Sequence, residues 1–238
     1  MRQLNPLIFE MASKLSYLLT TWCLNAQGSP LFRRAGAAFN ETGEQWLHSN
    51  LRGRINQAID VGANYGDYLS LIKKYNPNAR IVAIEAVPEF AQKIKSLHPE
   101  AELIQSAASN ICGEEIAIFQ KGGGANADPS RGNSSKLFKQ HNIATVTIDE
   151  VSSKKDIKPD FIKIDTDGYD LKVLEGSLAT LQKYSPVVQI ECSRFWRFTG
   201  SDPSKIFDIC KSIGYKVYVL RKKGIYELRS PGPLYGSF

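Results

Sequence analysis

No stretch of the 238-residue chain approaches the roughly 18 to 20 uninterrupted apolar residues that a membrane-crossing helix needs. A stable membrane span is therefore not expected. Cysteine is scarce, and the four present (Cys23, Cys112, Cys192 and Cys210) show neither C-x-x-C spacing nor a companion histidine pattern. That argues against a zinc site and for free thiols in a reducing, cytoplasmic compartment. Internal repeats are absent. So is a concentrated basic stripe, although the net charge is +6. The basic residues come in short groups such as Arg33-Arg34, Lys73-Lys74 and Arg221-Lys222-Lys223. Such scatter fits solvated faces and offers no basic–aromatic cluster for nucleic acid, while a phosphorylated acceptor or an anionic membrane surface stays open on charge alone. Apolar and charged fractions of 42% and 23% are ordinary for a soluble domain. The length fits one α/β domain with an extension.

What is present is organised around Ala58-Ile-Asp-Val-Gly-Ala-Asn-Tyr-Gly-Asp67. Ile55, Ala58, Ile59 and Val61 form a short apolar run suited to a parallel strand buried on both faces. Gly62 permits backbone angles and a close approach that a Cβ forbids. Gly66 precedes a predicted helix, Asp67 to Tyr75, whose N-terminus favours an anionic or polar ligand group. Asp60 supplies the opposite charge, and the pair suits a zwitterion such as an amino-acid head group. A dinucleotide-binding turn requires G-x-G-x-x-G, but the three positions here read Gly62, Asn64 and Asp67. Its acidic partner does exist: Glu85 ends the next apolar strand, Arg80 to Glu85, where a carboxylate can accept both hydroxyls of an adenosine ribose.

Further along, Pro88 opens a predicted helix to about Leu97, and Ala101 to Ala107 reads as a third strand that ends in small residues, Ser106 to Asn110. Glu114 to Lys121 alternates as an extra strand. The polar, glycine-rich insert Gly122 to Ser135 has no periodicity, and loops of that length are often functional. Its Asp128-Pro129-Ser130 lacks the second proline and aromatic ring of the D-P-P-Y motif of amino-group methyltransferases and is discounted. Ile143 to Ile148 reads as a strand. Asp160-Phe-Ile-Lys-Ile-Asp165-Thr-Asp167-Gly-Tyr-Asp170 reads as a buried strand, a carboxylate-rich turn and a helix start, with Asp170 best explained as a cap. Pro186 to Glu191 is a fifth buried strand, followed by Arg194 to Phe198 as a candidate acceptor wall. Asp60, Glu85, Asp165 and Glu191 thus converge at strand ends, where open parallel sheets bind ligands. A helix from Asp202 to about Ile213 and a hairpin, Gly214 to Leu220 with Gly224 to Leu228, close the chain. At the other end, Leu4 to Trp22 places apolar residues at helical spacing, an amphipathic helix that could lid the site or rest on a membrane surface. Glu10 and Lys14 make it a poor signal peptide.

D-V-G-A-N-x-G followed by I-E, the small-residue stretch after the third strand, and K-I-D-T-D-G-Y-D leading into V-L-E-G together resemble the FkbM-type family of class I S-adenosylmethionine (SAM) methyltransferases. The resemblance covers roughly residues 55 to 220. Asp167 and Asp170 stand where that family carries glutamates, and Asn110 where it carries aspartate. It implies an α/β fold: a three-layer, doubly wound, mostly parallel, Rossmann-like sheet with an antiparallel C-terminal hairpin. The apolar spacing of residues 4–24 and a second short helix around Glu44 to Leu51 make 1–53 an expected N-terminal helical extension, a cap or lid, before a methyltransferase domain, 54–238. Donor-site residues would be Asp60, Gly62, Ala63, Asn64, Gly66, Glu85, Ala86, Ala107 and Asp165, with the methionine part near Asp60 and the ribose on Glu85. The implied reaction is O-methylation of a hydroxyl on a sugar, glycan or polyketide-type product, a small-molecule or glycan acceptor. The base candidates are Asp165 first, then Asp167, Glu191 and His141. Asp165 and Glu191 could also share a Mg²⁺. Two other classes compete: a non-catalytic SAM-binding module, and an NAD-linked or nucleotide-sugar α/β enzyme. Oligomeric state has no signature in the sequence.

Overall fold

The computed structural model describes residues 17–22, 43–127, 137–192 and 202–230. The expectations for Leu4 to Ser16, the break at 27–30, the insert beyond Ala127, the Arg194 to Phe198 segment and the tail from Pro231 lie outside the described residues. In chain order the elements begin with β1 (Tyr17–Trp22), α1 (Glu44–Asn50), β2 (Gln57–Val61), α2 (Asp67–Tyr75), β3 (Arg80–Glu85), α3 (Pro88–Leu97) and β4 (Glu102–Gln105). There follow β5 (Ala107–Ala108), β6 (Glu115–Lys121), β7 (Gly124–Asn126), β8 (Lys139–Val146), α4 (Ile148–Lys154) and β9 (Phe161–Ile164). The chain continues with α5 (Asp170–Glu175), α6 (Leu178–Tyr184), β10 (Val187–Cys192), α7 (Pro203–Ser212), β11 (Lys216–Arg221) and β12 (Gly224–Leu228).

The main sheet runs β12-β11-β1-β10-β9-β2-β3-β4. Every pair is parallel except β11 with β12, the antiparallel hairpin that the sequence predicts. Strands buried on both faces must carry apolar side chains on both, and two cores result. On one face Ile59, Val61, Ile162 and Ile164 pack with Ile148, Leu171, Leu181 and Ile206, from α4 to α7. On the other, Ala58, Ile81, Ala83 and Phe161 pack with Leu47, Leu69, Ile72 and Ile94, from α1 to α3. The result is the three-layer, doubly wound architecture expected.

The structure departs from expectation in three places. Tyr17–Trp22 is a strand, not part of a helix: Leu18 pairs in parallel with Val188 of β10 on one side and Val217 of β11 on the other. A short apolar run fits a helical face and a doubly buried strand equally well, and length alone does not separate them. The predicted helical extension therefore contributes a strand to the middle of the sheet. The glycine-rich insert also begins in structure, because Gly124–Asn126 pairs antiparallel with β6. Finally, β8 starts at Lys139 rather than Ile143, pairing along β6 to complete a second, four-stranded sheet, β5-β8-β6-β7. No helix among the described residues is long and apolar enough to cross a membrane.

Candidate active site

Parallel strands in register place equivalent residues side by side on one face. Asp60 of β2 is level with Lys163 of β9, which is level with Gln189 of β10. All three are polar, buried and turned toward the α1–α3 layer, in strands that are otherwise apolar. Two residues further on, the same face carries Gly62, Asp165 and Glu191 at the strand ends. These three border a cavity of about 680 Å³ that continues past the ends of β3 and β4.

At the β3 end the cavity wall includes Glu85, only 5% exposed. Its carboxylate accepts from the backbone N–H of Asn64 (2.7 Å) and of Val87 (2.8 Å). Burial pushes its pKa up to about 7, opposed by those two amides. Beyond it, Ala86, Val87, Phe90, Ala107 and Ile118 make a flat apolar slot. The β6–β7 hairpin covers that slot, tied down where Asn64 Nδ2 donates to Gly123 O at 3.1 Å. The described part of the insert thus borders the end of the cavity beside Glu85.

The turn itself is largely self-satisfied. Gly62 and Ala63 N–H both donate to Ile84 O, and Gly66 N–H to Ala63 O. Those three amides therefore fasten the turn itself. The reason for Gly62 is steric: φ is +73°, and a Cβ there would stand 1.8 Å from the Asp165 carbonyl oxygen.

At the β9 and β10 ends, Lys163 organises the charges. Its ammonium is 3.1 Å from Asp165 Oδ2 and 3.5 Å from Asp60 Oδ1, donates to Gly62 O, and sits 4.9 Å above the Tyr68 ring. Burial alone would lower its pKa, but the carboxylates of Asp165, Asp60 and Glu44 outweigh that and hold it above the ordinary value. Burial likewise works to raise the Asp165 carboxyl, yet Lys163 and a hydrogen bond from Glu191 hold it below the usual range. Asp165 and Glu191 thus face the cavity as a neighbouring pair of carboxyl groups. Asp167, at φ +51°, lines the same end. Asp170 does not cap the helix as expected. It accepts from Thr166 N–H and Oγ and from Gly168 N–H, and so fastens the turn that presents Asp165 and Asp167.

The inner wall comes from α1. Gln189 Nε2 donates to Glu44 Oε1 at 2.7 Å, Tyr68 OH donates to Gln189 Oε1, and His48 Nε2 is 2.9 Å from Tyr68 OH. With the phenol proton directed to Gln189, His48 must donate from Nε2, which leaves its unpaired Nδ1 without a proton. Burial lowers the His48 pKa to about 3, so the ring is neutral. Glu44 and His48, one helical turn apart, thus clasp Tyr68 and Gln189 between them.

Of the residues predicted for the site, Gly62, Ala63, Asn64, Glu85, Ala86, Ala107, Asp165, Asp167 and Glu191 line the one cavity. Three do not. Asp60 is 0% exposed behind Lys163, and neither of its oxygens has a hydrogen-bond partner among the described residues. Gly66 faces His98, whose ring lies 2.6 Å from where a Cβ would stand. His141 projects from β8, where Nε2 is 2.8 Å from Gln120 Oε1, away from the cavity. The proposed metal also fails on its ligands. No group of three or more His, Cys, Asp or Glu side chains among the described residues could hold an ion, and the Lys163 ammonium already compensates Asp165. Sequence reasoning misses Lys163, Glu44, Tyr68 and Gln189. The readable signal is a lysine and a glutamine inside the buried runs F-I-K-I and V-V-Q-I, where polar side chains need a reason.

Among known families, the one described as "Methyltransferase FkbM domain" matches residues 60–217. No curated protein matches the chain. Among solved structures, methyltransferase FkbM from Methylobacillus flagellatus KT is 18% identical, with a TM-score of 0.45 over 73% of this chain and 43% of that one. The precorrin-6y C5,15-methyltransferase from Geobacter metallireducens GS-15 is 14% identical, with a TM-score of 0.42 over 81% and 77%. The plantazolicin methyltransferase BpumL, in complex with S-adenosylhomocysteine (SAH), is 14% identical, with a TM-score of 0.38 over 80% and 66%. This chain spans less than half the length of the first of these. The family match, running from the buried carboxylate of β2 to the start of β11 over more than half of the sequence, means that this chain belongs to the FkbM methyltransferase family.

Proposed function

We propose that this protein is a SAM-dependent O-methyltransferase acting on a hydroxyl of a sugar, glycan or polyketide-type acceptor. The observation that carries the proposal is the order of groups along the cavity. Glu85 and an apolar slot lie at one end, the Gly62 turn in the middle, and the Asp165–Glu191 pair at the other. SAM, when bound, supplies a methyl group made electrophilic by its sulfonium. Glu85 would accept the two ribose hydroxyls, and the slot of Ala86, Val87, Phe90 and Ala107 would take the adenine. Gly62 lets the turn pack directly against the Asp165 backbone, which brings together the floor that the thioether would cross. Asp165 and Glu191 would orient the acceptor hydroxyl, and Asp165 would take its proton as the oxygen is methylated. The low pKa of Asp165 keeps it ionised, and so able to accept, throughout the neutral range.

Calorimetry with SAH and with NAD tests the donor assignment. SAH should bind and NAD should not; binding of NAD alone refutes the proposal. Glu85→Ala should weaken SAH by about 10- to 100-fold, the worth of one or two hydrogen bonds to a charged group. Acceptor chemistry is read from methyl transfer to panels of polyols and aminated analogues, where transfer to nitrogen alone would reject the oxygen assignment.

A further inference from the structure

We infer that the tip of the β6–β7 hairpin is a gate over the nucleoside end of the cavity and that the Asn64 side chain is its latch. The inference rests on the SAM reading above, which puts the adenosine part of the donor beside Glu85. The cavity there is lined by Val87 and Phe90 beside α3, Ala107 of β5, and Ile116 and Ile118 of β6. The hairpin lies over these residues, and its tip reaches back to the Gly62 turn. Contact is made at Gly123, whose carbonyl oxygen accepts from Asn64 Nδ2 at 3.1 Å and whose Cα faces the Tyr65 ring. Tyr65 is braced in turn on Phe90, with ring centroids 4.7 Å apart.

The tip is lightly held. β7 is the three-residue edge strand of the second sheet, paired among the described residues with β6 alone. β8 supports β6 only as far as Gln120, opposite Lys139, so the turn projects beyond the sheet. Two strands without further support are marginally stable. The turn, Gly122-Gly123, and the residue after it, Gly124, carry no side chain that could anchor them. A Cβ at Gly122 would meet no described atom within 4 Å, and one at Gly124 would meet only the hairpin's own Lys121 O. Gly123 is the position of the three that touches the rest of the molecule, where a Cβ would stand 3.4 Å from the Tyr65 ring. The Asn64 hydrogen bond therefore fastens the tip at its one point of contact.

Asn64 also serves Glu85. Its backbone N–H donates to Glu85 Oε2 at 2.7 Å, and its φ is +52°. Left-handed backbone is uncommon outside glycine, is best tolerated by asparagine and aspartate, and clusters at ligand clamps and switches. One residue thus touches both the carboxylate that would take the ribose and the tip that covers it. The side chain can release Gly123 while the backbone amide stays on Glu85, so the gate can open without disturbing the ribose acceptor.

Asn64→Gly tests the latch, because glycine keeps the left-handed backbone, and with it the amide to Glu85, while removing the tie. On the full chain, the association and dissociation rates of SAH should rise together by about two- to tenfold, the worth of one neutral hydrogen bond, since a gate is crossed in both directions. Amide hydrogen exchange over residues 121–127 should quicken in the ligand-free variant. Faster dissociation with unchanged association overturns the inference in favour of a direct contact between Asn64 and the donor. Unchanged rates overturn it in favour of entry by another route. If the wild type binds no SAH, the SAM reading fails, and exchange in the free proteins still decides the latch: faster exchange over 121–127 in Asn64→Gly keeps it, and equal exchange removes it.

Discussion

Replacing Lys163 with methionine tests the electrostatic scheme of the site most directly. At an effective dielectric of about 20, each contact of its ammonium, 3.1 Å to Asp165 and 3.5 Å to Asp60, corresponds to about 5 kcal/mol of attraction. Desolvation of the ammonium offsets a large part, and removing one partner of a buried pair typically costs about 3–5 kcal/mol. Urea denaturation of Lys163→Met at pH 7.5 should show a loss of that order. The pH dependence follows from Asp60. Burial holds its carboxyl above the ordinary value even with Lys163 present, and loss of the lysine raises it further. A carboxyl whose folded pKa is raised contributes stability below the unfolded value of about 4 and loses it as pH rises through the folded value. The deficit of the variant should therefore shrink on going from pH 7.5 to pH 5. Adding Asp60→Asn should restore part of the loss at pH 7.5, because the second charge no longer lies buried and uncompensated. A cost below about 1 kcal/mol, or one that does not vary with pH, refutes the reasoning.

Other expectations are simpler. With the Glu85 carboxyl at about 7, SAH affinity should rise between pH 6 and pH 8 as the ionised acceptor forms, and calorimetry on Glu85→Gln should give a flat profile. Folding stability moves in the opposite sense: the raised pKa favours the folded state at low pH, and that contribution fades toward pH 7. Gly62→Ala should lower the urea midpoint and abolish SAH binding, since its Cβ would collide with the Asp165 backbone at 1.8 Å; near-native behaviour would deny the close approach. His141→Ala should leave SAH affinity unchanged, and a tenfold loss would restore His141 to the site.

Legibility in the sequence follows the physics of each signal. α2, β3 and α3 appear at the predicted bounds because glycine, proline and strand-end carboxylates mark them locally. Glu85 and Asp165 are readable because a carboxylate at the end of an apolar run has few structural reasons to be there. Asp60 carries the same signature, yet it lies one pleat deeper, and period-2 geometry decides depth in a way that strand-end position does not. β1 reads as helix because its neighbours on both sides are distant in sequence, so no local pattern records the pairing. Glu44 is invisible for a related reason. Only the register of β9 and β10 brings Gln189 to meet it.

That pairing of β1 also orders events in synthesis. Made first, β1 has no hydrogen-bonding neighbour until β10 and β11 emerge from the ribosome, both from the last quarter of the chain. Without β1 inserted, β10 and β11 have no strand between them, and the sheet would consist of two separate pieces. Closure is therefore of high contact order, a slow step in which the apolar β1 segment waits for strands made long after it. Chaperone engagement during synthesis should concentrate on that segment.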